Sequence, residues 1–197
     1  MGRCVKPSWE ESSLGGRIVL IQHVLLAIPI HLLSAVVMPE SVFRIIERVC
    51  SNFLWGSNGG EPKWHWICWS HLCYPVDEGG AGFQRLRDIY TAFSCKLWWV
   101  FRTGLSLEVR FMHTKYCNGL HPCQADIRVS TSATWRRMVN VSGQAELSML
   151  WLIHKGPCNI WYDNWSGIGT LYSRVPVRPY WLYGDCIVQG PWGIRWL

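Results

Sequence analysis

The strongest apolar run lies near the start. From Ile18 to Met38 the side chains carry no formal charge, and Gln22, His23, His31 and Ser34 are the polar interruptions. That length suits one membrane crossing. Pro29 sits in its middle, however, and a proline removes a backbone donor and clashes with the preceding turn. The pattern therefore also fits two shorter helices, one over residues 17–28 and one ending near Val37. Pro39 then opens a third helix, with Glu40 in the first turn where the dipole favours an anion. Val42, Ile45, Ile46, Val49 and Phe53 recur at helical spacing, and Arg44, Glu47 and Arg48 fall on the other side. This predicts an amphipathic helix with a basic face.

Glycines at 56, 59 and 60 end that helix, and residues 63–83, KWHWICWSHLCYPVDEGGAGF, show little periodicity. Leu86, Tyr90, Phe93, Leu97 and Phe101 then draw one stripe of a helix that ends near Thr103. Trp98 and Trp99 lie off this stripe and predict a second contact surface. A shorter helix is expected over residues 106–116, then a loop over 118–131. The run STSATWRRMV offers hydroxyl caps ahead of a helix bearing Arg136 and Arg137. Residues 149–165, MLWLIHKGPCNIWYDNW, read as strand, Lys-Gly-Pro turn and strand, a β-hairpin. No internal repeat is visible.

Composition sharpens the picture in three places. The chain has 197 residues, about half of them hydrophobic at 49%, enough for a buried core. It has 14 tryptophans, against roughly one or two per hundred residues in an average chain. That enrichment suits packing of irregular segments, or stacking on nucleotide bases. Formal net charge is +6, with arginine outnumbering lysine; this is compatible with a polyanion, since arginine grips phosphate in a bidentate fork. Nine cysteines form an odd count without a tight repeat, and residues 1–17 place charges where a signal peptide has its apolar core. The thiols therefore read as reduced and the protein as intracellular, nuclear or cytoplasmic.

Candidate chemistry is sparse. His65, Cys68, His71 and Cys73 supply atoms for a tetrahedral zinc site, but neither strand nor helix spacing brings all four together. His113, Cys117, His121 and Cys123 form a second such group with the same difficulty. A structural zinc module remains an alternative, as does a membrane anchor through residues 18–38; the favoured reading assigns no metal and no cofactor. No two aspartates are adjacent, as two-metal polymerase chemistry favours, and neither a Gly-x-Ser-x-Gly elbow nor a phosphate-binding P-loop occurs. No active site is identifiable. Basic residues interleaved with aromatics remain: Lys63 with Trp64 and Trp66, Lys96 with Trp98 and Trp99, and Trp135 with Arg136 and Arg137. Such pairs can combine phosphate contact with base stacking.

The segment LGGRIVLIQHVLLAIPIHLLSAVVMPESVFRIIERVCSNFLWGS, residues 14–57, resembles the region after the catalytic core in plant non-LTR (LINE-type) retrotransposon reverse transcriptases. The matching features are Gly15 to Arg17, Leu20 to Leu25, Ile28-Pro29, Pro39, and Phe53 to Gly56. The resemblance continues through residues 63–83, AFSCKLWWVF, SLEVRFMHTKYC and IWYDNWSGIGTL, and covers about residues 8–172. Lys63, His65, Trp66, Trp69, Cys73, Pro75 and Glu78 to Gly80 fit its pattern, whereas Cys68 and His71 fall at variable positions. The resemblance implies that the tryptophans pin an irregular connector against neighbouring helices. It also implies that the uncharged stretch is part of a thumb-like bundle beside a template–primer duplex, with its apolar faces buried and no membrane contact.

Departures matter too. The family's Phe/Tyr-x-Asp-Asp motif is absent, Glu108 stands where the family usually has tryptophan, and residues 8–17 look compressed. The expectation is thus a mainly α chain. It comprises a thumb-like helical bundle (1–55), a Trp-rich irregular connector (56–83), further helices (84–145), and a small C-terminal β-hairpin with an irregular tail (146–197). It reads as a non-catalytic internal fragment of an RNA-directed DNA polymerase, with weak, sequence-independent binding to RNA or an RNA–DNA duplex and no small-molecule substrate. The candidate contacts are Arg17, Arg44, Arg48, Lys63, Arg87, Lys96, Arg136 and Arg137.

Overall fold

A computed structural model describes residues 13–56, 64–125, 131–152, 156–174, 187–190 and 193–196. The chain is mainly α-helical and divides into two compact units, Met1–Phe93 and Ser94–Leu197.

In the first unit, α1 (Leu14–Leu20) is capped by Ser13, whose hydroxyl accepts from the Gly16 N–H at 3.3 Å. It runs into a π-helical turn over Ile21–Leu25, closed by Leu26 N–H donating to the Ile21 carbonyl at 3.0 Å. α2 (Ile28–Ala35) follows, with Pro29 in its first turn, where a missing N–H costs nothing. The predicted break is therefore real, and it is resolved by widening one turn and restarting the ladder at the proline. α3 (Glu40–Trp55) is N-capped by Pro39.

Ile21, Leu26, Leu33, Phe43, Cys50 and Leu54 form the core together with Leu72, Phe83 and Leu86. Two expectations need correction here. On α3 the buried stripe contains Phe43, Cys50 and Leu54, while Ile45 and Val49 from the predicted stripe are each 56% exposed. The helix is apolar over more than half its circumference, so periodicity alone admits both stripes and packing selects one. Nor is the uncharged stretch wholly buried: Val19, Val24, Ile28, Leu32 and Val36 are exposed although Ile21, Pro29 and Leu33 are not.

Residues 64–83 form the irregular connector. A short α4 (Trp69–Leu72) and a 3-10 turn at Val76–Glu78 fold back, so that the Ala81 and Phe83 N–H groups both donate to the Leu72 carbonyl. Gly80 is required by this return: a Cβ there would run into the backbone of Tyr74. Trp69 stacks on Phe83 at 5.1 Å, and Gln22 Nε2 donates to the Ala81 carbonyl at 2.7 Å, fastening the connector to the helices.

α5 (Leu86–Thr103) gives its first half to this unit and its second half to the next. In the second unit α6 (Leu107–Met112), capped by Ser106, passes into another π-turn at His113–Cys117. α7 (Ala133–Ser148) starts at Ser132, whose Oγ accepts from the Trp135 N–H at 3.2 Å, as the hydroxyl-rich run predicts. Trp98, Phe101, Val109, Cys117, Trp135, Met138, Ala145 and Met149 form the second core. Trp135 is stacked on Tyr116 at 4.5 Å and meets Phe101 edge-on. A short α8 (Leu171–Arg174) follows.

The predicted strands exist but do not pair with each other. β1 (Met149–Leu152) pairs antiparallel with β4 (Gly193–Trp196), and β2 (Gly156–Asn159) with β3 (Ile187–Gly190). The ladders are separate two-stranded sheets, and their registers differ by one residue, Met149 facing Trp196 in one and Asn159 facing Ile187 in the other. A tight-turn signal predicts local pairing, but the partners lie some thirty residues or more downstream.

Candidate nucleic-acid interface

Elements of the first unit place its basic residues in three different situations. Arg17, on α1, lies against the C-terminal end of α3: its Nη1 donates to the Leu54 carbonyl at 3.3 Å. Its guanidinium also fills the space beside Gly56, which ends α3 at φ 69°. A cation at that site satisfies a terminal carbonyl and complements the negative end of the helix dipole. Arg17 is therefore a capping residue, and its guanidinium is occupied within the fold.

Arg87, on α5, is also engaged. Its Nη2 meets Glu40 at 2.6 Å and its Nε lies 3.7 Å from Glu47, so it bridges α5 to α3. Arg44 lies 3.7 Å from the same Glu40, but its side chain is 71% exposed. Arg48 is one turn further along, exposed, and in no ion pair among the described residues. Arg44 and Arg48 thus line up at i, i+4 on the outer surface of α3, next to exposed Ile45 and Val49. Lys63 lies outside the described residues.

In the second unit, Lys96 is exposed on α5, and Arg136 is exposed on α7 with Nη2 reaching the Thr131 carbonyl at 3.4 Å. Arg137 differs: only 5% exposed, it donates from Nε to Ser94 Oγ at 2.7 Å in the core. The pair Arg136-Arg137 therefore splits, one residue outward and one inward, as adjacent positions on a helix must when one face is buried.

Five of the histidines and cysteines of the two candidate zinc groups have other partners. His65 Nδ1 is 3.3 Å from Ser51 Oγ, Cys68 Sγ is 3.1 Å from Ser70 Oγ, and His71 packs edge-on to Tyr74. His113 stacks on Phe101, and His121 lies 3.2 Å from Asp163. Among the described residues no three His, Cys, Asp or Glu side chains converge as metal ligands would.

The connector tryptophans also need correction. Trp69 packs as expected, but Trp64 is 87% exposed and Trp66 is 83% exposed. They cannot pin the segment. His65, between them, contacts Ser51 on α3, Nδ1 to Oγ at 3.3 Å.

Sequence reasoning missed the most buried polar cluster. Arg102, at the end of α5, donates from Nε to Glu146 Oε1 at 2.7 Å and from Nη2 to Asp163 Oδ1; these side chains are 4–6% exposed. Trp98 Nε1 also donates to Glu146 Oε1 at 2.7 Å, and the Asn159 N–H donates to Asp163 Oδ2 at 2.7 Å. Burial alone would push the Asp163 carboxyl up, but His121, Arg102 and the Asn159 N–H together hold it below the usual carboxylate range. Burial likewise disfavours the charged guanidinium, and Glu146 and Asp163 overcome that to raise its pKa. Enclosed to this degree, the cluster is placed to organise α5, α7 and the 159–164 turn. The signal available was Asp163 between aromatics in IWYDNW, which by itself names no partner.

No family model matches the chain, and no solved structure matches it. An Arabidopsis thaliana protein named "Putative ribonuclease H protein" is 28% identical over 193 residues, covering 96% of this chain. The chain spans 27% of that relative's length.

Proposed function

We propose that this chain is a non-catalytic internal region of a retrotransposon reverse transcriptase-like protein, and that it contacts nucleic-acid backbones without reading sequence. The observation that carries this reading is the similarity, over nearly the whole chain, to a plant protein named for ribonuclease H. Exposed Arg44 and Arg48 on α3 support it physically, because two cations one helical turn apart present a short phosphate-binding row. Lys96 and Arg136 are exposed on the second unit and serve the same chemistry. Arg17, Arg87 and Arg137 are engaged by partners within the fold, and the proposed contact set leaves them out. The proposed setting is intracellular, with no cofactor and no small-molecule substrate.

Binding of the purified chain to a labelled RNA–DNA duplex across a salt series tests this. Two to four phosphate contacts predict a log–log salt slope of roughly −2 to −4. Folded chain that binds nothing at low salt would refute the reading.

One observation favours a second reading. Leu14–Ala35 is long and apolar enough to cross a membrane, with a mean hydropathy of 2.0, and several of its apolar side chains are exposed. Carbonate extraction of membranes from cells making the chain separates the two: release into the soluble fraction rules out a crossing helix.

A further inference from the structure

Trp64 and Trp66 occupy an unusual position. A soluble fold ordinarily covers an indole, which carries the largest apolar surface of any side chain. Here two of them, separated by one residue, are more than four-fifths exposed, and neither stacks on another aromatic ring among the described residues. The residue between them reaches the helix. His65 Nδ1 lies 3.3 Å from Ser51 Oγ, and Ser51 is buried on α3 at 6% exposure. The two rings are thereby held beside a known stretch of helix.

That stretch is the basic one. Ser51 follows Arg48 by three positions and Arg48 follows Arg44 by four, so the three share one side of α3 within about two turns. Arg44 and Arg48 are exposed, and Arg48 has no carboxylate partner among the described residues. The local chemistry therefore couples two exposed π-faces to a row of cations. A protein partner with an apolar patch would bury the indoles but would leave the arginines to be desolvated without anions. A nucleic-acid strand answers both, because its phosphates meet the guanidinium groups while its bases offer flat faces to the rings. Paired bases in a duplex keep their faces stacked on one another, so the occupant is an unpaired strand.

We propose that Trp64 and Trp66 form a base-stacking platform for single-stranded nucleic acid, held by the His65–Ser51 contact next to the phosphate-binding row of Arg44 and Arg48. This rests on the nucleic-acid reading above and extends it by naming unpaired bases as the ligand of this part of the chain.

The test uses the full chain and two labelled probes, oligothymidylate and an abasic oligomer of the same length and charge. Wild-type protein is expected to bind the base-bearing strand at least tenfold more tightly. Trp64→Ala and Trp66→Ala should each weaken that binding roughly tenfold, given the usual worth of a base–aromatic stack. Their binding to the abasic strand and their melting temperatures should stay unchanged, and Trp66→Phe should retain most of the affinity. Equal binding of the two probes, or alanine variants that bind like wild type, overturns the platform while leaving backbone binding intact. Folded chain that binds neither probe at low salt overturns the platform, while the RNA–DNA duplex titration decides the backbone reading separately.

Discussion

Arg102 on α5 and Glu146 on α7 meet at 2.7 Å with both side chains only 6% exposed, and the same guanidinium also holds Asp163. A buried charge network of this kind contributes little beyond what a well-packed apolar substitute would, yet removing the arginine leaves two buried carboxylates without the guanidinium they share. Arg102→Ala is expected to cost about 3–5 kcal/mol, read as a lower urea midpoint with an unchanged slope. Arg102→Lys keeps the charge but loses the planar fork and the cation–π contact with Trp151, 4.8 Å away. It should fall between wild type and alanine. A loss under about 1 kcal/mol for the alanine variant would place the pair on the surface.

The same network predicts acid sensitivity. Asp163 has a folded pKa below its ordinary value: burial opposes ionisation, and the His121 hydrogen bond and the Arg102 charge outweigh it. A depressed carboxylate pKa means the unfolded chain takes up the proton first. The contribution to stability is therefore fully present above the unfolded value of about 3.9, and is lost as pH falls through the lower folded value. Urea midpoints measured between pH 6 and 3 (approximate limits set by those carboxylate values) should drop more steeply for wild type than for Asp163→Asn. Parallel curves would show that another carboxylate dominates.

What was legible in the sequence follows from which signals are local. Pro29, Pro39, Ser132 and Gly56 mark helix ends correctly because caps and breakers act within one turn. The choice between Phe43/Cys50/Leu54 and Ile45/Val49 as the buried side of α3 depended on neighbours that periodicity does not see. Strand existence was legible at Met149–Leu152 and Gly156–Asn159, but their partners lie far along the chain. Among the basic residues, Arg44, Arg48, Lys96 and Arg136 stay exposed. Arg17, Arg87 and Arg137 are diverted by Leu54, Glu40 and Ser94, contacts no local pattern announces.

That division is testable by substitution. Arg44→Ala with Arg48→Ala should lower the magnitude of the salt slope for the RNA–DNA duplex by about 2 and leave the melting temperature unchanged. Arg137→Ala should do the reverse, with little change in slope and a loss of roughly 1–3 kcal/mol from the lost Ser94 contact and lost packing. A stable Arg137→Ala variant with a reduced slope would return Arg137 to the contact set.

The thiols separate by environment. Cys68 is exposed, and its hydrogen bond with Ser70 lowers its pKa below that of a free thiol. Burial pushes Cys50 and Cys117 up to about 11 and Cys158 up to about 12. Only the thiolate alkylates, so iodoacetamide at neutral pH should label Cys68 well before those three. In urea the three should become reactive together with global unfolding. Early labelling of Cys50 in native buffer would mean that the core between α3 and the first helices opens locally.

Gly80 offers the sharpest test of the connector. Its N–H donates to the Pro75 carbonyl at 3.0 Å, and the position a Cβ would take is already filled by the Tyr74 backbone. Backbone cannot rotate away as a side-chain tip can, so Gly80→Ala must displace the return that brings Phe83 onto Trp69. A loss of about 1–3 kcal/mol is expected, in line with other overpacked sites. Gly15→Ala is the control, because open space surrounds that position and alanine favours a helix. It should be neutral or slightly stabilising. Should Gly80→Ala melt with wild type, the fold-back of residues 72–83 is not formed in solution, and the His65–Ser51 anchor would then hold the connector tryptophans alone.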